Sequence, residues 1–533
     1  MLVAGHRHQP HSKNAVPALL VEGDSILDIT GCVRTGLCEP VCPWGWLTFL
    51  EMKRTSIFYI VTLLVVAAAI IGLIQAGASL PAPAGRPAVA PVKATASSAD
   101  ASALDTAWST VSANFDHPLS HLFVQLLVII GASRLMGKLF ARMGQPAVVG
   151  EMAAGILLGP SLFGLLAPGA FEFVFPDDSL GALKLLSQIG VCLFMFAVGM
   201  DLDVRHVRSK AQTAVLVSHV SIVFPYLLGV ILAWFLYSHL AAAGASFTAF
   251  ALFMGISMSI TAFPVLARIL QERNMSKTYL GSTAITCAAV DDVTAWSILA
   301  FVVAIARSTS IGGAGMNLLL VGVFIAIMIW GVRLALPRFL GQHRLEREEP
   351  SSGTLATIVC VVVAAALCTE VIGIHALFGS FLAGAIMPEI AGFRHKISVR
   401  VENFSSVLLL PLFFAFTGLR TQIGLLNDLE GWLLCLLIIL VATVGKLGGS
   451  AVTARFTGMN WSDSLQLGAL MNTRGLMELI ALNIGYDMGI LSPRIFTMLV
   501  IMALVTTMLT GPLLTLFGQK QPAPDGNSLP ASS

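Results

Sequence analysis

Long apolar stretches alternate with short polar segments along the chain from residue 120 to residue 517. An apolar stretch of about 17–25 residues is long enough for an α-helix to cross the hydrocarbon core of a bilayer. The pattern therefore predicts an all-α polytopic membrane domain over 120–517. Thirteen candidate spans lie near 120–140, 146–167, 183–200, 213–237, 247–270, 279–306, 315–335, 353–372, 374–389, 404–421, 431–456, 463–486 and 493–517.

The composition agrees with a membrane protein, because 56% of the 533 residues are hydrophobic and only 11% are charged. Soluble domains carry about 25% charged residues. The formal net charge is +2 and no dense basic tract occurs, so we expect no nucleic-acid partner. The chain shows no metal-ligand cluster, nucleotide-binding loop or serine-nucleophile motif. We therefore expect no enzyme activity, no cofactor and no structural metal.

The chain before the first span follows a different pattern. Residues 1–51 are polar and irregular, and we interpret them as a non-native or disordered extension with the true start at Met52. Basic residues, an apolar run and a small-residue cleavage signal follow in order, so 52–78 is predicted to be a signal peptide or signal anchor. The Ala-, Pro- and Ser-rich stretch 79–119 is predicted to be an extracytoplasmic linker, and 518–533 a short cytoplasmic tail.

Basic residues concentrate in alternate loops between the spans, which sets the orientation by the positive-inside rule. The intervening loops are poor in Lys and Arg. The pattern predicts a multi-pass protein of the inner (plasma) membrane with a cytoplasmic C-terminus. The basic loops contain Lys138 and Arg142; Arg205, Arg208 and Lys210; Arg268, Arg273 and Lys277; Arg333, Arg338, Arg344 and Arg347; and Arg394, Lys396 and Arg400.

Two glycine-rich segments recur seven spans apart. Residues 150–160 resemble 379–388, and residues 193–200 resemble 412–419. Because seven is odd, the matched helices run in opposite directions through the membrane. Inverted repeats of this kind are typical of transporters that bind their substrate near the midplane, at discontinuous helices. Glycine patterns also arise from close helix packing alone, which is the alternative explanation of each match taken singly.

The fifth and twelfth spans correspond in this repeat, and each contains a polar patch that interrupts an apolar helix. Proline removes a backbone donor and disfavours helix at the residue before it. Broken helices expose half-helix termini that attract ions. The sequence therefore predicts two crossed discontinuous helices. The residues of the predicted crossover are Ser259, Thr261, Pro264, Asn472, Thr473, Arg474 and Gly475.

The adjacent carboxylates Asp291 and Asp292 lie near the middle of the sixth span. A charge at the bilayer centre costs at least about 2.5–3.5 kcal/mol, so such a pair indicates a functional site. Neighbouring side chains on a helix diverge by about 100°. One aspartate is therefore expected to face an ion path and the other an ion-pair partner, for which Lys446 in the eleventh span is the candidate. The alternative is a structural Asp–Lys strut between two helices.

Other polar residues in the spans have two interpretations. The hydroxyls of Ser259 and Thr261 would either coordinate an ion or satisfy the backbone at the proline break. Arg474 and Glu478 lie four residues apart on one helical face, where a structural pair is favoured and Glu478 is a secondary candidate.

Three long motifs resemble the monovalent cation:proton antiporter-2 family, and most of all its plant and fungal cation/proton exchanger branch. They are DDVTAW (291–296), TAFPVLARIL (261–270) and NTRGLMELIALNIG (472–485). The resemblance covers about 120–517. It implies the sodium/proton antiporter fold, in which a six-helix core moves against a dimerisation domain, and a homodimer in the lipid bilayer. It further implies that Asp292 is the main ion-binding carboxylate, that Asp291 pairs with Lys446, and that Thr261 lies near the crossover.

The predicted function is exchange of protons for Na⁺ or K⁺ by alternating access. A buried carboxylate must be neutralised by a proton or a cation before it moves across, and competition between the two yields antiport. A gated K⁺ efflux channel and a cation-coupled symporter on the same fold are the alternatives. An intramembrane aspartyl protease is disfavoured because adjacent carboxylates splay apart. The resemblance gives two different expectations for the transported cation. The Asp-Asp pair with a lysine is typical of sodium exchangers, whereas the plant and fungal branch is commonly linked to potassium, so the choice between Na⁺ and K⁺ is left open.

Overall fold

The computed structural model describes residues 44–77, 118–201, 211–276, 278–307, 311–340, 351–388, 390 and 392–518. The chain divides into two compact units, 1–58 and 59–533. Helix α1, Trp44–Gly77, contains the described part of the first unit. The predicted signal segment falls on this helix, and its cleavage stays a prediction. The predicted extension before residue 44, the linker up to residue 117 and the tail after residue 518 lie outside the described residues.

The described part of the second unit is helical and contains no strand. Its α-helices are α2 Pro118–Arg142, α3 Ala147–Leu158, α4 Phe163–Leu166, α5 Pro168–Val174, α6 Leu180–Asp201, α7 Ala211–Leu240, α8 Phe247–Ser259, α9 Phe263–Glu272, α10 Tyr279–Arg307, α11 Ile311–Ala326, α12 Arg333–Leu340, α13 Ser352–Ile372, α14 Ala376–Ala385, α15 Phe393–Phe404, α16 Leu410–Arg420, α17 Leu429–Thr443, α18 Gly449–Phe456, α19 Trp461–Met471, α20 Leu476–Asp487 and α21 Pro493–Phe517. Short π-helical segments join α11 to α12, α15 to α16 and α17 to α18; they are Ile327–Val332, Ser405–Leu409 and Val444–Gly448.

Eleven helical segments among the described residues are long and apolar enough to cross a membrane. Each overlaps one of the predicted spans. The other two predicted spans fall on α14, which has only 10 residues, and on α19 and α20, which are separated by an interruption. The all-helical fold class is confirmed, whereas the predicted number of thirteen spans is not.

Packing sorts the helices into two groups. In the core group, α7, α8 and α10 pack on one another, and α17 to α21 complete the group. In the scaffold group, α2 packs on α3, α3 packs on α16, α6 packs on α14, α15 and α16, and α13 packs on α14. Since the carboxylate pair lies on α10, the predicted site belongs to the core group.

Glycines in the scaffold group make two equivalent contacts between the repeated segments. A Cβ on Gly418 of α16 would overlap the backbone of Gly155 in α3. A Cβ on Gly199 of α6 would lie 3.1 Å from the Cα of Gly384 in α14. The repeat equates Gly155 with Gly384 and Gly418 with Gly199, so the second contact is the counterpart of the first. This exchange of partners is what a two-fold relation between the two halves requires.

Candidate ion-binding site

Two interrupted helices cross in the core group, as predicted. The first is interrupted between Ser259, where α8 ends, and Phe263, where α9 begins. The second is interrupted between α19 and α20. The backbone N–H of Ala262 donates to the carbonyl of Thr473 over 2.9 Å, so the two non-helical segments are joined directly. Each interruption is therefore covered by the other and not by lipid, which is the condition for non-helical backbone at membrane depth.

The sequence explains where each interruption ends. Pro264 lies in the first turn of α9, where its missing N–H removes no helical hydrogen bond. Gly475 precedes α20 with φ +154°, a conformation that side-chain-bearing residues rarely adopt. Proline and glycine therefore set the start of the two second half-helices.

Two buried cations cap the carbonyl end of α8. The Lys446 ammonium donates to the carbonyl of Ser259, and the Arg474 guanidinium donates to the carbonyls of Ser257 and Met258. The last carbonyls of a helix lack intrahelical partners and carry the negative end of its dipole. Lys446 and Arg474, each with 0% of the residue exposed, therefore neutralise a helix end that lies inside the protein.

Asp291 is fully buried and fully hydrogen-bonded. Its carboxylate lies 2.9 Å from the Lys446 ammonium. It also accepts hydrogen bonds from Ser218 at 2.8 Å, from Ser221 at 3.0 and 3.1 Å and from Thr261 at 2.5 Å. Both oxygens are thus satisfied by protein groups. The predicted contact of Asp291 with Lys446 is present.

Asp292 has different surroundings although it is the next residue on α10. The residue is 1% exposed, and neither carboxylate oxygen accepts a hydrogen bond in good geometry from a described residue. Asp292 borders a void of about 10 Å³, which is about the smallest space that admits one water molecule. The other residues around this void are Ile260, Ala295, Trp296, Leu299 and Met477.

A much larger cavity, of about 450 Å³, lies between the core and scaffold groups. It reaches from Arg268 and Gln271 on α9 to the crossover at Ala262 and Met477. Its other wall is formed by scaffold helices and includes Glu151. Met477 also borders the void at Asp292, so its side chain lies between the large cavity and the space beside the carboxylate.

The side chains of the other predicted crossover residues differ in their contacts. The Ser259 hydroxyl lies 2.7 Å from the carbonyl of Gly255 and does not contact either aspartate, so it satisfies the backbone. The Thr473 hydroxyl lies 3.2 Å from that of Thr510. Asn472 is fully buried, and its side-chain nitrogen and oxygen have no hydrogen-bond partner among the described residues.

Arg474 and Glu478 form an ion pair of 2.8 Å on one face of the second broken helix. Both side chains have 0% of their surface exposed. One oxygen of Glu478 has no hydrogen-bond partner among the described residues. The Thr507 hydroxyl donates to the carbonyl of Arg474 over 2.9 Å and ties α21 to the crossover. The pairing favoured by the four-residue spacing is present.

Sequence reasoning did not single out Ser218, Ser221 or Thr507. Hydroxyls within a helix usually donate to the carbonyl four residues earlier, so their presence in an apolar span carries little functional signal. A cluster of threonines in the last span was the available indication for Thr507. The two serines became informative only when the structure placed them against Asp291.

The sequence profile of the family described as sodium/hydrogen exchanger, transmembrane, matches residues 126–520. The chain belongs to this exchanger family. This exchanger is 46% identical over 393 residues to the Na⁺/H⁺ antiporter NhaS4 of Synechocystis, which it covers to 96%. It is 37% identical to cation/H⁺ antiporter 17 of Arabidopsis thaliana, but covers only 48% of that protein. It is 31% identical to K⁺/H⁺ antiporter 1 of Saccharomyces cerevisiae, with 47% coverage.

The fold of this exchanger is similar to a solved structure of the sodium proton antiporter MjNhaP1 from Methanocaldococcus jannaschii. The TM-score is 0.53 at 15% identity, and the match covers 75% of this chain and all of that one. At this identity the similarity shows the fold alone. The chain spans about half the length of the plant and yeast relatives, so their regulation is not transferred to it.

Proposed function

We propose that this exchanger-family protein exchanges protons for a monovalent cation, Na⁺ or K⁺, by alternating access, with Asp292 as the ion-carrying group. The observation that carries the proposal is the contrast between the neighbouring carboxylates. Asp291 is neutralised by Lys446 at 2.9 Å, whereas Asp292 forms no ion pair with a described residue. The names of the relatives support antiport and disfavour the alternatives of a gated K⁺ channel or a symporter.

The charges of the core make the coupling physically reasonable. The pairs Asp291–Lys446 and Arg474–Glu478 are each neutral overall. An ionised, unpaired carboxylate at membrane depth costs several kcal/mol. Asp292 therefore moves between the two sides only when a proton or a cation neutralises it. Since one carboxylate holds one or the other, the two ions are carried in opposite directions.

The 450 Å³ cavity provides the route to this carboxylate from one side. It opens where the chain carries Arg268, at the end predicted to be cytoplasmic. A cation approaching through it reaches the crossover and passes Met477 to meet Asp292. The cavity supports an inward-facing arrangement in which the opposite side is closed.

The family resemblance also supports a homodimer in the inner (plasma) membrane with a cytoplasmic C-terminus. Light scattering of the purified protein in detergent would test the dimer, since a mass of one protomer would contradict it. A reporter fused after residue 533 that fluoresces only in the cytoplasm would test the orientation.

Proton flux in proteoliposomes tests the role of Asp292 directly. We expect Asp292→Asn to reduce cation-dependent proton flux to that of empty liposomes for Na⁺, K⁺ and Li⁺ alike, because an amide has no titratable proton and no negative charge to be neutralised by a cation. Glu272→Gln is the matched control, because this carboxylate is 46% exposed and pairs with Arg268 at the surface. Wild-type flux in a folded Asp292→Asn protein would contradict the site.

The same liposomes distinguish exchange from passive conduction. A pH gradient is set first, and Na⁺ or K⁺ is then added outside. An antiporter reverses the gradient, whereas a K⁺ channel moves protons only when a separate proton leak is supplied. If none of the tested cations reverses the pH gradient without an added proton leak, antiport is contradicted.

A further inference from the structure

A cluster of charged side chains joins the scaffold group to the core group at the end of the bundle away from the large cavity. Arg420 at the end of α16 lies 2.6 Å from Asp487 at the end of α20. Arg420 also donates to the amide oxygen of Asn483 over 2.9 Å. Lys184 of α6 lies 3.3 Å from the same Asp487. Two scaffold cations therefore converge on one core carboxylate.

The cluster and the large cavity occupy opposite halves of the same helices. The cavity touches α20 at Leu476 and Met477, whereas the cluster uses Asn483 and Asp487 of that helix. Ten residues of helix separate Met477 from Asp487, about 15 Å at 1.5 Å per residue. The cavity likewise contacts α16 in its first half, at Leu410 and Phe414, while Arg420 is its last residue.

The space beside the cluster is nearly closed. A void of only about 30 Å³ remains there between the scaffold and core groups. Its lining includes Gln188, Val191 and His375 from the scaffold side, and Asn483 and Asp487 from the core. The molecule is thus open between the two groups at one end and closed by ionic contacts at the other.

Arg420 is placed to hold this closure firmly. Its side chain is only 14% exposed, and its guanidinium lies 4.2 Å from the ring centre of Phe416 and 5.1 Å from that of Tyr486. Asn483 adds a second bridge, because its amide donates to the Thr417 hydroxyl over 2.8 Å. A hydrogen bond to a charged group that is shielded from solvent contributes more free energy than one that is exposed.

We propose that Arg420, with Asp487, Asn483 and Lys184, forms a latch that closes the pathway on the side opposite the large cavity and must open for the carrier to face that side. The inference rests on the proposed alternating access. A movement of the core group along the scaffold group separates these partners, since the cations and the carboxylate belong to different groups. The stability of the latch then sets the equilibrium between the conformation open to the large-cavity side and the conformation open to the opposite side.

Cysteine labelling without transport tests the latch. In a cysteine-free background, Val191→Cys reports the closed side, because Val191 is 1% exposed and borders the small void. Ser406→Cys reports the open side, because Ser406 borders the large cavity and is partly exposed. We expect Arg420→Gln to raise the labelling rate at 191 by about tenfold relative to that at 406, which corresponds to the loss of one charged hydrogen bond.

The chain offers a matched control at the same end. Arg494 and Asp428 form an ion pair of 2.6 Å, but both belong to the core group. Arg494→Gln therefore removes a similar contact that does not connect the two groups, and the labelling ratio should stay at the wild-type value.

Asp487→Asn removes the carboxylate of the latch while keeping the side-chain volume. It should change the ratio of the two labelling rates in the same direction as Arg420→Gln. An unchanged ratio in both folded latch variants, or an equal change in Arg494→Gln, would overturn the latch. Because labelling needs no ion flux, a failed latch is distinguishable from a failed antiporter.

Discussion

The core and scaffold groups are held together by different chemistry although both consist of apolar helices. At the centre of the core, Lys446 and Arg474 bind carboxylates and helix-end carbonyls with 0% exposure. In the scaffold, helices touch backbone to backbone at glycines such as Gly155 and Gly418. Among the described residues, the ion pairs with both side chains fully buried therefore lie in the group that carries the site, while the scaffold helices approach one another most closely at glycines.

Removing one charge from the core should have the largest effect on stability. Lys446→Met keeps much of the side-chain volume but leaves Asp291 buried without a cation, at a cost of about 3–5 kcal/mol. We expect a strong loss of thermal stability in detergent, measured as the apparent melting temperature. The double variant Lys446→Met with Asp291→Asn removes both charges and should recover most of that loss. No recovery in the double variant would show that packing and not charge is responsible.

Filling a scaffold glycine should have the next largest effect. Gly418→Ala places a methyl group on the backbone of Gly155, and overpacking of a tight interface typically costs about 1–3 kcal/mol. Gly131→Ala is the matched control, because a Cβ there meets nothing within 4 Å. A lowered melting temperature for Gly418→Ala together with an unchanged or raised one for Gly131→Ala is expected. Equal behaviour of the two would remove the close-approach explanation.

Substitution of a helix-capping residue should have the smallest effect on stability. The scaffold and core caps should differ in whether that effect depends on pH. Ser351 caps the scaffold helix α13 by accepting from Thr354, and Ser351→Ala should cost about 0.5–2 kcal/mol at any pH. Asp428 caps the core helix α17 by accepting from Gly431, and the Arg494 guanidinium beside it holds the pKa of Asp428 below its ordinary value.

Because that pKa is lowered on folding, the Asp428 contribution is present above the ordinary aspartate pKa and is lost as the pH falls through the lowered one. Melting temperatures of wild type and Asp428→Asn should therefore differ at pH 7 and converge in acid. A difference that stays constant with pH would contradict the ionic cap.

The predicted spans and interruptions depend on local chemistry, which explains why they could be read from the chain. Long apolar runs must form helices in lipid, because no water satisfies the backbone there. Pro264 and Gly475 disrupt or terminate a helix through their own covalent structure. The four-residue spacing of Arg474 and Glu478 places them on one face of any helix.

The difference between the paired Asp291 and the unpaired Asp292 was decided by tertiary structure. Adjacent residues have the same chemistry and the same depth along α10, so only the helices that surround each one can distinguish them. Ser218, Ser221 and Lys446 come from segments distant in the chain and converge on Asp291 alone. The sequence by itself determined that a charged pair lies in the membrane and that two helices break beside it. Which carboxylate is left without a cation, and which end of the bundle is closed, depends on contacts between remote segments, because burial and hydrogen bonding are properties of the assembled helices.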